Sequence, residues 1–237
     1  MGTFFTGSQF SLNELNQVKW GTPWHGLEAL LNVRNLALGL AVLFLARTNG
    51  LLYLMNTVDD DDLFERSRRK LSMDSISFLV FFLFFVIVLL LSEGFAYDRA
   101  TGTVSMEKFK YLHNLLQMPL VMVIFLAGVI SVLYGIGAAL FKAKRSAIWY
   151  TGAGTILVVM ALFFIAGFNG TAFYPSVSDP GSSLTIDKAS SSFFTLKTMM
   201  YVSFFVPFVI AYIWYAWKAI NRKKITGDEI MKGRHLY

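Results

Sequence analysis

The chain contains no cysteine, three histidines and five prolines in 237 residues, and only 15% of it is charged. Without cysteine there is no disulfide scaffold, no cysteine-ligated zinc, no iron–sulfur cluster and no thiol catalysis. His25, His113 and His235 are too few for a histidine-rich metal site, so no metal site is expected. A soluble domain carries roughly 25% charged residues, so this chain falls well short of one. Disorder needs low hydrophobicity and high charge, and this chain has 55% hydrophobic residues, 23 of them Phe. The net charge of +6 reports loop topology in a chain of this kind, not an affinity for nucleic acid. No P-loop, dinucleotide fingerprint, zincin motif, nucleophile elbow or EF-hand is present. No complete catalytic site can be assembled from the chain alone.

Long apolar runs are what it does have. A helix needs about 20 apolar residues to cross the hydrocarbon core. Five stretches qualify, at about 27–56, 75–97, 108–141, 147–172 and 193–217. They are too long for barrel strands and lack alternation. The expected fold is therefore an all-α membrane protein, a bundle of five transmembrane helices forming a single polytopic domain over 1–237. Ser105 is expected to cap the third helix after a turn at 98–102. The short link from Lys142 to Ser146 makes the third and fourth helices antiparallel neighbours. Pro119 and Pro207 are expected to kink the third and fifth. Pro175, Pro180 and Gly181 break the chain after the fourth. Thr226 and Glu229 form a capping box for a short helix in the tail.

Lys and Arg set the orientation. Arg66, Arg68, Arg69, Lys70, Lys142, Lys144, Arg145, Lys218, Arg222, Lys223, Lys224, Lys232 and Arg234 fall on one side. Lys19, Arg99, Lys108, Lys110 and Lys188 fall on the other. The first side is the richer, so the C-terminus is expected in the cytoplasm and, with five spans, the N-terminus outside. The first 26 residues lack the basic and apolar regions of a signal peptide.

Ionisable groups inside spans are expensive and serve as site candidates. Arg34 and Arg47 lie in the first span, each off its midplane. Arg47 is expected either to snorkel to an interface or to meet an anion in a neighbouring chain. Arg34, Glu93, His113 and Gln117 lie at similar depth, and His113 and Gln117 share one helix face. They form a candidate polar cluster or proton relay, against the plainer reading of side chains facing interfacial water. Asp59–Asp62 reads as a solvated loop. Gly128, Gly135, Gly137, Gly152 and Gly154 allow close helix contact. The Phe-rich second span is expected to face lipid or a partner.

The last third carries a resemblance. It runs through Phe173-Tyr174-Pro175, Ser183-Leu184-Thr185-Ile186, Ala189-Ser190-Ser191 and Thr195-Leu196-Lys197-Thr198-Met199. Val206-Pro207, Tyr212, Tyr215, Trp217 and Ile225-Thr226 follow. Earlier come Phe4-Phe5-Thr6-Gly7 with Phe10, Leu30-Leu31-Asn32, Asn49-Gly50-Leu51-Leu52-Tyr53-Leu54 with Thr57, and Arg66-Ser67-Arg68. This pattern resembles subunit II of cytochrome bd-type quinol oxidases. Asn49 stands where that family often has His, and Asp187-Lys188 also departs from it. The resemblance implies the last five of eight spans, with three earlier spans absent. It implies a non-haem subunit in the cell inner membrane, supporting a haem-bearing subunit I. That partner would hold haem b and haem d, oxidise membrane quinol and reduce oxygen to water in aerobic respiration. A bound quinone in this subunit is a further implication. The alternative from the residues alone is a small membrane transporter or channel subunit, with the intramembrane Arg and Glu lining its path.

Overall fold

The computed structural model describes residues 2–220 and the backbone of Ile225–Thr226. Among the described residues, five helices are long and apolar enough to cross a membrane. They differ from the expected spans mainly at their ends, for local reasons.

The N-terminal segment forms a short helix α1 (Thr3–Thr6) and a hairpin of β1 (Phe10–Leu12) and β2 (Val18–Trp20). A 3-10 turn, Leu27–Leu31, leads to the first spanning helix α2 (Val33–Thr57). Helix α2 begins at Asn32, whose side chain accepts from the Arg34 N–H, an N-cap. After β3 (Val58–Asp59), α3 (Asp61–Leu91) starts much earlier than its apolar run. Asp60 caps it through a 2.8 Å bond from the Leu63 N–H. Asp61 and Asp62 then face the positive end of the helix dipole. Asp60–Asp62 is thus a helix start and Asp59 the end of a strand, not the loop expected from their charge, although Asp59, Asp61 and Asp62 do face solvent. At 1.5 Å per residue α3 is about 46 Å long, against about 30 Å of hydrocarbon. Its basic first turns therefore project beyond the core.

The second span ends early because residues 92–107 make a hairpin of β4 (Gly94–Asp98) and β5 (Thr103–Glu107). Ser105 sits in β5, paired with Ala96, so it does not cap the next helix. The turn between the strands is where it was expected, with Asp98 accepting from the Ala100 N–H. The third span breaks at Met118, between α4 (Lys110–Gln117) and α5 (Pro119–Lys142). Pro119 has no N–H to give, and its ring disfavours helical geometry at Met118; Met118 takes φ −113° and ψ 77°. Helix α6 (Ala147–Gly167) follows. Residues 168–192 are mostly extended, with a 3-10 turn at Pro180–Ser182 and a short helix α7 (Ile186–Ala189). The last span, α8 (Phe193–Ser203) and α9 (Val206–Ile220), is interrupted four residues before Pro207, where the proline ring meets the preceding turn. β6 (Ile225–Thr226) pairs with β3. Thr226 is therefore in a strand pair, and Glu229 of the expected capping box lies outside the described residues.

Helices α2, α3, α5 and α6 form the bundle. Helix α2 packs on α3 and α6, and α5 on α6 and α3. Phe78 and Phe85 of α3 point into this core, so the Phe-rich span is not simply lipid-facing. Helices α5 and α6 approach each other closely at their glycines. A Cβ on Gly154 would lie 2.6 Å from the Gly128 carbonyl oxygen and 2.8 Å from the Val132 backbone nitrogen. None of the apolar window of α8–α9 is buried. The α1 segment, both hairpins and residues 168–192 cap one end of the bundle. There, backbone bonds join Ser8 to Pro175 and Val177, and Phe95 to Ala172. The opposite end carries the α2–α3 and α5–α6 turns.

Gly154→Val should destabilise the bundle by about 1–3 kcal/mol, because backbone cannot retreat as a side chain can. Gly152→Val, which meets nothing within 4 Å, should change stability little. Denaturant titration in micelles compares the two.

Candidate functional site

The strongest polar feature inside a spanning segment is an ion pair. Arg47 on α2 donates to Asp74 on α3 through Nε to Oδ2 at 3.1 Å, and its Nη2 lies 3.1 Å from Oδ1. This is a bidentate fork, the geometry in which a guanidinium best satisfies a carboxylate. The burial is lopsided: the Asp74 side chain is 4% exposed and that of Arg47 55%. Arg47 thus finds its anion within this chain. Fully buried Thr48 and Ser75 adjoin the pair in sequence. The Thr48 Oγ1 and Asn49 Oδ1 atoms are buried with no hydrogen-bond partner among the described residues.

Sequence reasoning overlooked Asp74 because the apolar run was started at Ser75. The signal was available: Asp60 is a good N-cap, and a helix begun there carries Asp74 into the spanning region.

At the capped end the four sequence candidates are separate: three take different partners and one is exposed. Arg34 Nη1 donates to Ser92 Oγ at 2.7 Å, and Ser92 Oγ donates to the Leu89 carbonyl. Glu93, the next residue, is exposed. His113 Nδ1 lies 2.9 Å from Glu107 Oε1, and the Lys110 ammonium lies 3.1 Å from Oε2. The His113 hydrogen bond, with Lys110 behind it, holds the Glu107 carboxyl below the usual glutamate range against a smaller cost of burial. Gln117 Oε1 accepts from Asn169 Nδ2 at 2.5 Å. No hydrogen bond or ion pair joins Arg34, Glu93, His113 and Gln117 to one another among the described residues.

Fully buried Asn114, unremarked in the sequence, organises this end instead. Its Nδ2 donates to the Ile165 carbonyl and to Thr171 Oγ1, both at 2.8 Å. Its Oδ1 accepts from Asn169 at 3.1 Å. It thereby satisfies a carbonyl in the last turn of α6 and holds the loop that follows. Asn114 shares α4 with His113 and Gln117, which was the only available signal.

The turn end is closed by arginines. Arg145 reaches Asp59 at 3.0 Å, Asp61 at 2.9 Å and the Val58 carbonyl at 3.2 Å. Arg68 donates to the Leu140 carbonyl near the end of α5. Together they clamp the two turns.

The family model for cytochrome bd terminal oxidase subunit II matches residues 1–220. This chain belongs to the cytochrome bd subunit II family. No curated protein matches it. Membership makes it a component of a haem-containing membrane oxidoreductase complex and implies a subunit I partner. His113 is tied to Glu107, and His25 is exposed in the N-terminal loop. No group of three or more His, Cys, Asp or Glu among the described residues could hold a metal ion.

The lopsided ion pair predicts lopsided mutants. Arg47→Ala leaves a buried carboxylate unpaired and should cost about 3–5 kcal/mol. Asp74→Asn leaves a half-exposed guanidinium that can turn to water and should cost less. Paired Leu substitutions should recover most of the loss, as a double-mutant cycle in micelles will read. For Glu107, the lowered folded-state pKa contributes stability that is complete above the ordinary value of about 4.3 and vanishes as pH falls through the folded-state value. Melting temperature should therefore fall more steeply below that pH in the wild type than in Glu107→Gln.

Proposed function

We propose that this chain is the non-haem subunit of a bd-type quinol:oxygen oxidoreductase in the cell inner membrane. The observation that carries the reading is the family match across nearly the whole spanning bundle. A haem-bearing subunit I would oxidise quinol and reduce oxygen to water, and this chain would stabilise it and keep its haem surroundings dry. The Lys and Arg distribution supports an orientation with the capped end outside and the two clamped turns in the cytoplasm. In that orientation Arg34, Glu93, His113 and Gln117 form a polar rim on the outer face, suited to passing protons from oxidised quinol to water. A quinone bound against the apolar helices would be structural.

The test is purification of the membrane complex through a tag on this chain. Haem b and haem d absorption should co-migrate with it. An intact complex without haem, or solute flux through liposomes carrying this chain alone, would reject the reading. In the same preparation Glu93→Gln should slow proton release; unchanged quinol oxidation and proton release would remove the rim from the mechanism and leave the subunit assignment standing.

A further inference from the structure

On the outer surface of the α5–α6 pair, beside the turn that joins them, Lys144 points its ammonium back along the helices. Its Nζ donates to Tyr150 Oη at 3.2 Å. The same Nζ lies 4.5 Å from the Tyr150 ring centroid and 5.9 Å from that of Tyr134. The two rings meet edge to face at 4.9 Å. Ser131 Oγ holds the Tyr150 carbonyl at 2.8 Å, which ties the second ring to α5. This is a built pocket for a cation, assembled from two helices and their turn.

Depth decides what the pocket does. Helix α6 is about 31 Å long by its rise, close to the roughly 30 Å hydrocarbon core. Its first turn, which ends at Tyr150, therefore lies at the hydrocarbon boundary. A lysine near a boundary ordinarily extends toward water. Lys144 instead holds its charge at the level of Tyr150, and no carboxylate pairs with it among the described residues. Its hydrogen bond to Tyr150 keeps the ammonium charged, raising its pKa. The anion present at this depth is a lipid phosphate. Tyr150 accepts from Lys144, so its own O–H is oriented to donate. On the same face of α5, Ile130 and Val123 lie one and three turns from Tyr134 toward the bilayer middle, both exposed.

We infer that Lys144 and Tyr150, backed by Tyr134, hold the phosphate of an anionic phospholipid whose acyl chain lies along α5. This site needs only a bilayer. It does not depend on the redox role of the complex or on which end faces the cytoplasm.

The test uses the full chain in micelles offered equal phosphatidylglycerol and phosphatidylcholine, with bound lipid counted by intact-complex mass spectrometry. The wild type should prefer phosphatidylglycerol about fivefold, the weight of one basic side chain at a lipid surface. Lys144→Gln should abolish the preference, and Tyr150→Phe, which keeps the ring and the charge, should reduce it. Lys142→Gln, a nearby exposed lysine, should leave it intact. No preference in the wild type, or equal loss in Lys142→Gln, would overturn the site. Displacement of the lipid by equimolar glycerol phosphate would show a soluble-phosphate site and reject the lipid reading.

Discussion

Hydrocarbon offers no hydrogen bonds, and the architecture of this chain follows from that constraint. Backbone groups are satisfied by helices wherever the chain crosses. Where helices stop, at Met118, after Leu91 and after Gly167, other backbone or buried side chains take over. The β4–β5 hairpin carries the chain away from α3, and Asn114 accepts the role of partner to the end of α6. The same rule governs side chains: Arg47 is tolerated within a spanning helix because Asp74 meets it with two contacts.

Close packing is the second constraint. Lipid tails are as apolar as leucine, so helices associate through contact distance and polar pairing, not through exclusion of water. Gly128, Gly135 and Gly154 remove side chains where α5 and α6 touch. The clamp of Arg145 on Asp59 and Asp61, and of Arg68 on Leu140, ties the two hairpins at their turns. The capped end is tied by a fully buried asparagine and by the N-terminal segment that contains α1. The Tyr111 hydroxyl there donates to the Phe5 carbonyl at 3.2 Å. Four helices so restrained form the bundle of a subunit whose family works in a haem-containing oxidase complex. The α8–α9 helix stands outside that bundle.

Some of this was legible in residue order. Proline chemistry at Pro119 and Pro207 located both helix breaks, and the short Lys142–Ser146 link paired α5 with α6. The family was legible in the segment before the last span. Other features were not. Ser105 has the chemistry of a cap, but the alternation from Thr103 to Glu107 pairs it into a hairpin. Asp74 fell at the edge of an apolar window, and a window average cannot show that one carboxylate turns inward. His113 was grouped with Glu93 by depth, whereas Glu107 lies within reach in the fold and takes the hydrogen bond.

Composition and apolar run length alone determined that the chain crosses a bilayer as five helices, since no other structure satisfies that many apolar residues in hydrocarbon. Charge pairing was decided only by the tertiary structure. Which acid meets Arg47, which meets His113, and whether Lys144 turns to water or back against two tyrosines depend on helix rotation and on strand register. These are set by side-chain packing between segments far apart in the chain, and no local pattern of residues encodes them.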